Sequence, residues 1–124
     1  MSFDLEATYL ALDGKGGVVE MPVTADFWER IESSPAAAHS MMGVFPVRTD
    51  WSHWEMHPDG DEVLVLIDGR LDMLLDDGRE QRTIAMQAGA TLIVPAGVWH
   101  RALVRAPGRL LGFTYGPGTR HRPV

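Results

Sequence analysis

The fold is decided by residues 51–75, which read WSHWEMHPDGDEVLVLIDGRLDMLL. Polar and apolar residues alternate on both sides of a Pro-Asp-Gly-Asp turn at positions 58–61, and this pattern predicts two β-strands joined by a short loop. Because alternate side chains of a strand point to the same face, the first strand is expected to present four side chains together. These four are Trp51, His53, Glu55 and His57.

Turn-forming sequences recur through the rest of the chain. They lie at 59–60, 68–69, 77–78, 95–97, 107–108 and 116–118. Spacings of about eight to twelve residues between turns are typical of sandwiches and barrels built from short strands. The intervening segments are rich in strand formers, and they span 63–67, 71–75, 83–86, 91–94, 99–104 and 110–114. From Trp51 onward the sequence therefore predicts an all-β protein, built as a sandwich or a barrel.

The N-terminal part is expected to add two strands and one short helix. Residues 7–12 and 18–21 are predicted to pair across a glycine-rich turn. Thr24 is a suitable N-cap for a helix over 25–32. Residues 33–35, Ser-Ser-Pro, are expected to end this helix because proline disfavours helical backbone in the residue before it.

Length and composition predict a single domain over residues 1–124. The chain has 124 residues, and 45% of them are hydrophobic, which is enough for one packed core. The N-terminal strands and helix are assigned to 1–40, and the barrel core to 41–115. The remaining residues, 116–124, are expected to form a tail whose basic cluster at 120–122 is solvated.

Composition also excludes several classes of protein. The chain has no cysteine, which excludes disulfide frameworks, thiolate zinc sites and cysteine nucleophiles. Its net charge of −6 repels phosphate backbones and anionic membranes, so we expect neither nucleic acid nor membrane as a partner. The first residues lack the pattern of a signal peptide, and no apolar stretch is long enough to cross a bilayer. The expected location is therefore the cytoplasm.

The decisive stretch also brings titratable side chains together. A hairpin at 58–61 would return the chain so that Glu62, which opens the second strand, lies beside His57. Glu55 shares a face with His57. We therefore expect Glu55, His57 and Glu62 to converge from two adjacent strands.

Two spaced motifs resemble those of the cupin superfamily. The first family motif is G-x(5)-H-x-H-x(3,4)-E-x(6)-G. Here His57-x(4)-Glu62-x(6)-Gly69 matches its second half. Glu55 stands where the first His would be, and Thr49 where the leading Gly would be.

The second family motif is G-x(5)-P-x-G-x(2)-H-x(3)-N. Gly89-x(5)-Pro95-x-Gly97-x(2)-His100 matches it up to the last position, where Val104 replaces Asn. The two motifs occur in the family's order. The resemblance implies a small single-domain cupin, which is an antiparallel jelly-roll barrel (a double-stranded β-helix), here with one short N-terminal helix.

The resemblance further implies one divalent metal ion. Metal-binding cupins use the two His and the Glu of the first motif with the His of the second. Carried over position by position, the ligand set is Glu55, His57, Glu62 and His100. Two imidazoles and two carboxylates suit a hard or borderline ion such as Mn²⁺ or Fe²⁺, and the ion expected is Mn, Fe, Ni or Zn.

Some roles stay open at this point. His57 and His100 also fit core histidines that are hydrogen-bonded to carboxylates without a metal. Glu55 fits a ligand, a catalytic base beside the ion, or the mark of a barrel that has lost its metal. Other residues are expected to line the pocket or to support the ligands: Trp51, His53, Leu64, Leu66 and Val104. For Trp51, Leu64 and Leu66, core packing is an equally simple interpretation.

The opposite face of the first strand carries Trp54 and Met56. An exposed Trp and Met on a sheet often mark a subunit contact, so we expect a homodimer through this face. The alternative is that the N-terminal segment covers them.

Three function classes follow from the resemblance. The favoured one is a metal-dependent enzyme of oxygenase, isomerase or decarboxylase type that acts on a small organic molecule in the barrel pocket. The alternative is a non-catalytic barrel that binds or senses a small molecule. The third is a barrel kept for assembly, which the cost of burying four ligand-type residues without an ion disfavours.

Overall fold

The computed structural model describes residues 1–34 and 38–124. Within them the chain forms one α-helix and nine strands, all paired antiparallel. The helix is α1 (Phe27–Glu32). The strands are β1 (Thr8–Leu12), β2 (Val18–Pro22), β3 (Ser40–Val47), β4 (His53–Met56), β5 (Glu62–Asp76), β6 (Gln81–Gln87), β7 (Thr91–Val94), β8 (Trp99–Tyr115) and β9 (Arg120–Pro123).

The predicted all-β antiparallel barrel with one short helix is confirmed. One row of strands runs β2-β1-β3-β8-β4-β9, and β5 joins it through β8 while also pairing with β6 and β7. Leu64, Leu66, Met73 and Leu110 are completely buried and form the centre of the main core.

Two predicted turns are wrong, because β5 continues as a strand through the first of them and β8 through the second. The Asp68-Gly69 and Pro107-Gly108 sequences do not reverse the chain but lie where the register between the two strands is irregular. The backbones approach so closely there that a Cβ on Gly108 would come within 1.9 Å of the Asp68 carbonyl oxygen. Gly69 has a φ of +87°. An Asp-Gly sequence allows such a positive φ both in a hairpin turn and in a bulge within a strand.

This irregularity matters because of what lies at the two ends of the β5–β8 ribbon. His100 pairs with Leu75 near one end, whereas Glu62 begins β5 at the other. The Glu62 and His100 side chains nevertheless touch. Since the strands themselves are extended, the ribbon has to bend, and the bend carries one end across the barrel to face the other.

The N-terminal strands pair as predicted, with Leu10 opposite Glu20 in the centre of the β1–β2 hairpin. The helix begins later than predicted: Asp26, not Thr24, is the N-cap residue. Thr24 instead donates a hydrogen bond to Asp26 over 2.5 Å. Of the predicted helix stop, Pro35 lies outside the described residues.

Two strands were not predicted. β3 contains Gly43 and Pro46, which weaken a strand signal, yet it pairs with β8 along its full length. β9 lies in the segment that was expected to be a solvated tail, and it pairs with β4. Its Arg122 is held over the rings of Trp54 and Trp99, at 4.9 and 4.6 Å from their centroids.

The same packing corrects the expected subunit face. Trp54 and Met56 are each only 8% exposed, so they offer no free surface. The guanidinium of Arg122, rather than the N-terminal segment, lies over Trp54. Among the described residues, no helix is long and apolar enough to cross a membrane.

Candidate metal centre

Four predicted ligand residues come together inside the barrel. Glu55 lies on β4, His57 directly after it, Glu62 at the start of β5 and His100 near the start of β8. One donor atom from each lies within 4.8 Å of the others. The strands differ from the prediction in one respect, since β4 does not pair with β5; both pair with β8, which lies between them.

The donor atoms point at one another at contact distance. His57 Nε2 lies 2.8 Å from Glu55 Oε1 and 3.3 Å from Glu62 Oε2, and His100 Nε2 lies 2.9 Å from Glu62 Oε1. Despite these distances, Nε2 of both histidines and Oε1 of Glu62 make no hydrogen bond of acceptable geometry, and all three are buried. Buried polar atoms without partners are rare, which indicates that a group is expected between them.

The pKa values of the cluster reflect burial and mutual attraction. Burial alone would lower the pKa of His57, but its contacts with Glu55 and Glu62 outweigh this and raise the pKa from 6.5 to about 9. Burial alone would raise the pKa of Glu62, but His100 and His57 lower it from 4.5 to about 2. Without a metal, the site is therefore held together by ion pairs between His57 and its two carboxylates.

Glu55 is the exposed member of the four. Its side chain is 30% accessible, whereas that of Glu62 is 6% accessible and that of His100 is completely buried. The pKa of Glu55 is lowered, because the contact with His57 outweighs the effects of burial and of the Glu62 charge. Its second oxygen, Oε2, lies 3.4 Å from Nε2 of His121, which pairs with Glu55 across β4 and β9.

Two threonines that the sequence did not single out hold the ligands in place. Thr114, on β8, donates a short hydrogen bond to Glu62 Oε2. Thr119 donates its hydroxyl proton to the Gly116 carbonyl at 2.6 Å, and its oxygen lies 2.7 Å from His57 Nδ1. Since that hydroxyl proton is already used, Nδ1 must donate to Thr119, and a neutral His57 then presents the lone pair of Nε2 to the cluster.

This donor set fits a divalent metal ion. The two Nε2 atoms and the carboxylate oxygens are close together and lack hydrogen bonds among themselves. Nitrogen from imidazole and oxygen from carboxylate are the donors preferred by Mn²⁺, Fe²⁺, Ni²⁺ and Zn²⁺. Two carboxylates also balance the charge of a dication.

A large cavity of about 1190 Å³ opens onto the cluster. Glu55, His57 and Glu62 contribute to its wall. Most of the remaining lining is aromatic, aliphatic or glycine: Tyr9, Trp28, Ile31, Ala38, Met41, Gly43, Phe45, Trp51, Gly112, Tyr115, Gly116, Pro117 and Gly118. The polar remainder is Ser34, Thr114, Thr119 and His121.

The other predicted pocket residues divide between the cavity and the core. Trp51 lines the cavity, and its ring stands edge-on to His100 at 5.7 Å. His53 is exposed, makes a 2.9 Å contact with Ser52 and lies outside the cluster. Leu64 and Leu66 are buried in the core, and Val104 packs against it; none of the three lines the large cavity. For both leucines the core interpretation is the one that fits.

Comparison with known proteins identifies the family. A family model described as a cupin domain matches residues 41–111. This span is more than half of the chain, and the chain therefore belongs to the cupin family, as the two motifs indicated. Thr119 and the following strand β9, which carries His121, lie beyond the matched residues.

Individual proteins are similar to parts of the chain. The uncharacterized protein YdbB of Bacillus subtilis (strain 168) is 35% identical over 60 residues, or 48% of each chain, so this chain spans about half the length of its curated relative. A cupin-2 domain protein from Shewanella frigidimarina NCIMB 400 superposes with a TM-score of 0.50 and 23% identity, covering 60% of this chain and 69% of the other.

A third relative is the hydroquinone 1,2-dioxygenase PnpCD, whose structure was solved with Cd²⁺ and 4-hydroxybenzonitrile. It superposes with a TM-score of 0.53 and 16% identity, covering 63% of this chain and 59% of the other. At identities this low, the structural likeness establishes the fold only.

Proposed function

We propose that this cupin is a metal-dependent enzyme that acts on a small organic molecule held in the large cavity. The observation that carries the proposal is the meeting of two buried imidazole nitrogens and a Glu62 oxygen, none of them hydrogen-bonded, beside a mainly apolar cavity that Glu55, His57 and Glu62 line. A dioxygenase that was solved with a divalent ion and a small phenolic ligand has the same fold, which agrees with this assignment.

The chain's own residues have distinct tasks in this proposal. Glu55, His57, Glu62 and His100 would hold the ion, which would supply a Lewis acid for an oxygen atom of the substrate. Thr119 fixes the tautomer of His57, and Thr114 fixes the position of Glu62. Glu55 alone borders solvent, so it is also placed to accept a proton from a substrate in the cavity.

Metal content tests this proposal most simply. Protein purified without a His-tag or chelator should contain close to one equivalent of Mn, Fe, Ni or Zn. His100→Ala should lose it, because His100 is completely buried in the cluster, whereas the matched control His53→Ala should retain it, because His53 is exposed outside the cluster. Wild-type protein that stays metal-free after reconstitution would contradict the proposal.

Thermal stability gives a second readout that does not depend on a mutant folding. A ligand that binds only the folded state at a hundred times its Kd stabilises by about 2.7 kcal/mol. Added metal should therefore raise the Tm of chelator-treated wild-type protein. Metal-dependent conversion of a small organic compound would then favour the enzyme, and metal-supported binding without conversion would favour a sensor.

We also propose that the protein forms a homodimer, through a surface other than the one that carries Trp54 and Met56. Trp54 and Met56 are buried within one chain, so a dimer would have to use another face. Light scattering at micromolar concentration decides the matter, since a monomer mass would remove the proposal.

A further inference from the structure

We infer that the large cavity takes an uncharged, mainly apolar ring compound with one oxygen donor, and that it rejects small dicarboxylates. The inference rests on the proposed metal centre, because the oxygen donor would be directed towards it. Three features of the cavity support it: the aromatic wall, the distribution of charge, and a pair of glycines in the wall beside the centre.

The wall is dominated by rings. Five aromatic side chains line it: Tyr9, Trp28, Phe45, Trp51 and Tyr115. Aromatic rings pack favourably against other rings in edge-on or offset arrangements, so such a wall favours a ring-shaped ligand. The volume of about 1190 Å³ exceeds the roughly 300–1,000 Å³ usual for small-molecule sites, so a single ring has ample room.

The charge of the cavity disfavours anions. Among the described residues that line it, none is Lys or Arg. Glu55 and Glu62 together balance the charge of a dication, so a metal-loaded centre attracts a second negative charge only weakly. Apart from His57, the one imidazole among the described residues of the wall is that of His121, and it is 58% exposed and already contacts Glu55. A dicarboxylate would therefore enter with its charge uncompensated, which is costly in an apolar site.

Two glycines form a narrow strip of the wall beside the centre. Gly43 on β3 and Gly112 on β8 are directly opposite each other, and both line the cavity. The ring of Tyr9 lies against Gly43, where a Cβ would come within 2.5 Å of it. A Cβ on Gly112 would lie 3.3 Å from Phe45 and 3.7 Å from both Leu64 and Thr114, so a larger side chain here would crowd the cavity wall.

The position of this strip links it to the metal centre. Gly112 is two residues before Thr114, the hydrogen-bond donor to Glu62, on the same face of β8. Glycine weakens a strand interior and often marks a place where a ligand approaches closely. A ring lying on the strip would therefore be adjacent to the ligand Glu62.

A smaller cavity of about 450 Å³ borders the other one at Trp51, Glu55 and His121, which line both. It contains Arg48, but also Asp50, and neither His57 nor Glu62 lines it. The charge of Arg48 is therefore offset locally by Asp50.

Isothermal titration of the metal-loaded protein with three probes tests the inference. The probes are acetophenone, which is neutral and carries one oxygen; phthalate, which has the same ring and two carboxylates; and succinate, which has the carboxylates without the ring. We expect acetophenone to bind at least tenfold more tightly than phthalate, and succinate to bind weakest. Tighter binding of phthalate or succinate would overturn the inference.

A matched pair of charge variants identifies the cavity as the cause. Trp28 and Ile93 are exposed to similar extents, 62% and 59%, but only Trp28 lines the cavity. Trp28→Lys should shift the preference towards phthalate by tenfold or more, and Ile93→Lys should leave it unchanged. If both lysine variants shifted the preference equally, or if neither shifted it, the ligand would not bind in the large cavity.

Gly112→Val provides a check on size, because its side chain would fill the strip. It should lose acetophenone binding by tenfold or more while keeping its metal equivalent; undiminished binding would overturn the role of the strip. If this variant does not fold, the two lysine variants decide alone.

The outcomes separate the proposed function from the proposed ligand class. Protein that binds metal but prefers dicarboxylates overturns only the substrate class, whereas protein that binds no metal overturns both.

Discussion

The two sides of the metal centre differ in burial and in origin. Glu62 and His100 come from the long β5 and β8 strands, are at most 6% exposed, and occupy positions that match the family motifs. Glu55 and His121 come from the short β4 and β9 strands and are 30% and 58% exposed. Glu55 departs from the family motif, and His121 lies beyond the family match. The inner side provides buried ligands at positions that the family motifs specify, whereas the outer side is more exposed and carries residues that the motifs do not specify.

The largest expected effect separates these two sides directly. Glu62→Gln should weaken metal binding by more than the roughly 10–100-fold that follows loss of a supporting residue, because the buried carboxylate contacts both histidines. Glu55→Gln should weaken it less, since Glu55 contacts only one of the two ligand histidines, His57, and borders solvent. Titration of both variants with Mn²⁺ measures the difference.

The outcome for Glu55 also assigns its role. If Glu55 ligates, Glu55→Gln weakens Mn²⁺ binding, and Glu55→His retains metal while shifting selectivity towards later transition metals. Unchanged affinity in Glu55→Gln, with turnover lost, would make Glu55 a base beside a centre formed by three residues. Equal losses in Glu55→Gln and Glu62→Gln would contradict the distinction between the sides.

An intermediate effect is expected at Thr119, which belongs to the outer side but acts on a buried ligand. Thr119→Val keeps the shape of the side chain but removes the oxygen that accepts from His57 Nδ1. Metal affinity should fall by about 10–100-fold. Thr119→Ser, which keeps the hydroxyl, should restore it.

Nitrogen NMR provides the readout specific to Thr119. In metal-free protein at high pH, His57 should carry its proton on Nδ1 in the wild type and in Thr119→Ser. The population should shift towards the Nε2-protonated form in Thr119→Val. Equal affinities and equal tautomers in both variants would show that Thr119 does not orient His57.

The smallest expected effect is a pH dependence of the folding stability of the metal-free protein. The pKa of His57 is raised on folding from 6.5 to about 9. Its contribution to the free energy of unfolding is therefore fully present below pH 6.5 and is lost as the pH rises through 9. The pKa of Glu62 is lowered from 4.5 to about 2, so its contribution is complete above pH 4.5 and is lost as the pH falls through 2. The contribution of this pair should therefore be greatest between pH 4.5 and 6.5.

Urea unfolding of chelator-treated protein at pH 5.5 and pH 8.5 tests the alkaline side of this window. The free energy of unfolding should be lower at pH 8.5, and His57→Gln should remove most of that difference. An unchanged pH dependence in His57→Gln would contradict the raised pKa of His57.

The inner side of the site could be predicted from the sequence because its signals are local. The turn at Pro95 and Gly97 is formed as predicted, and β7 has the predicted bounds. His57, Glu62 and His100 follow from motif spacings within this part of the chain. Each of these signals depends on residues close together in the sequence.

The outer side could not be predicted because its interactions join distant parts of the chain. Thr119 meets His57, and Arg122 meets Asp76, Trp54 and Trp99. Nothing in the short Arg-His-Arg sequence distinguishes such a strand from a solvated tail.

The bend in the β5–β8 ribbon was missed for a different reason. Gly69 has a positive φ in the bulge, as it would in the hairpin that its Asp-Gly sequence predicted. The local signal is the same in both cases. Only the pairing of Asp68 with Arg109 distinguishes a bulge within a long strand from a turn between two short ones.

Anomalous X-ray diffraction from crystals grown with Mn²⁺ would locate the proposed ion. We expect one strong peak per chain, within coordinating distance of His57 Nε2, His100 Nε2 and Glu62, with Glu55 at its solvent side. His100→Ala should abolish the peak, and His53→Ala should leave it in place. A wild-type crystal without a peak at the four-residue cluster, or with one only at the exposed His53 or His121, would refute the proposed metal centre.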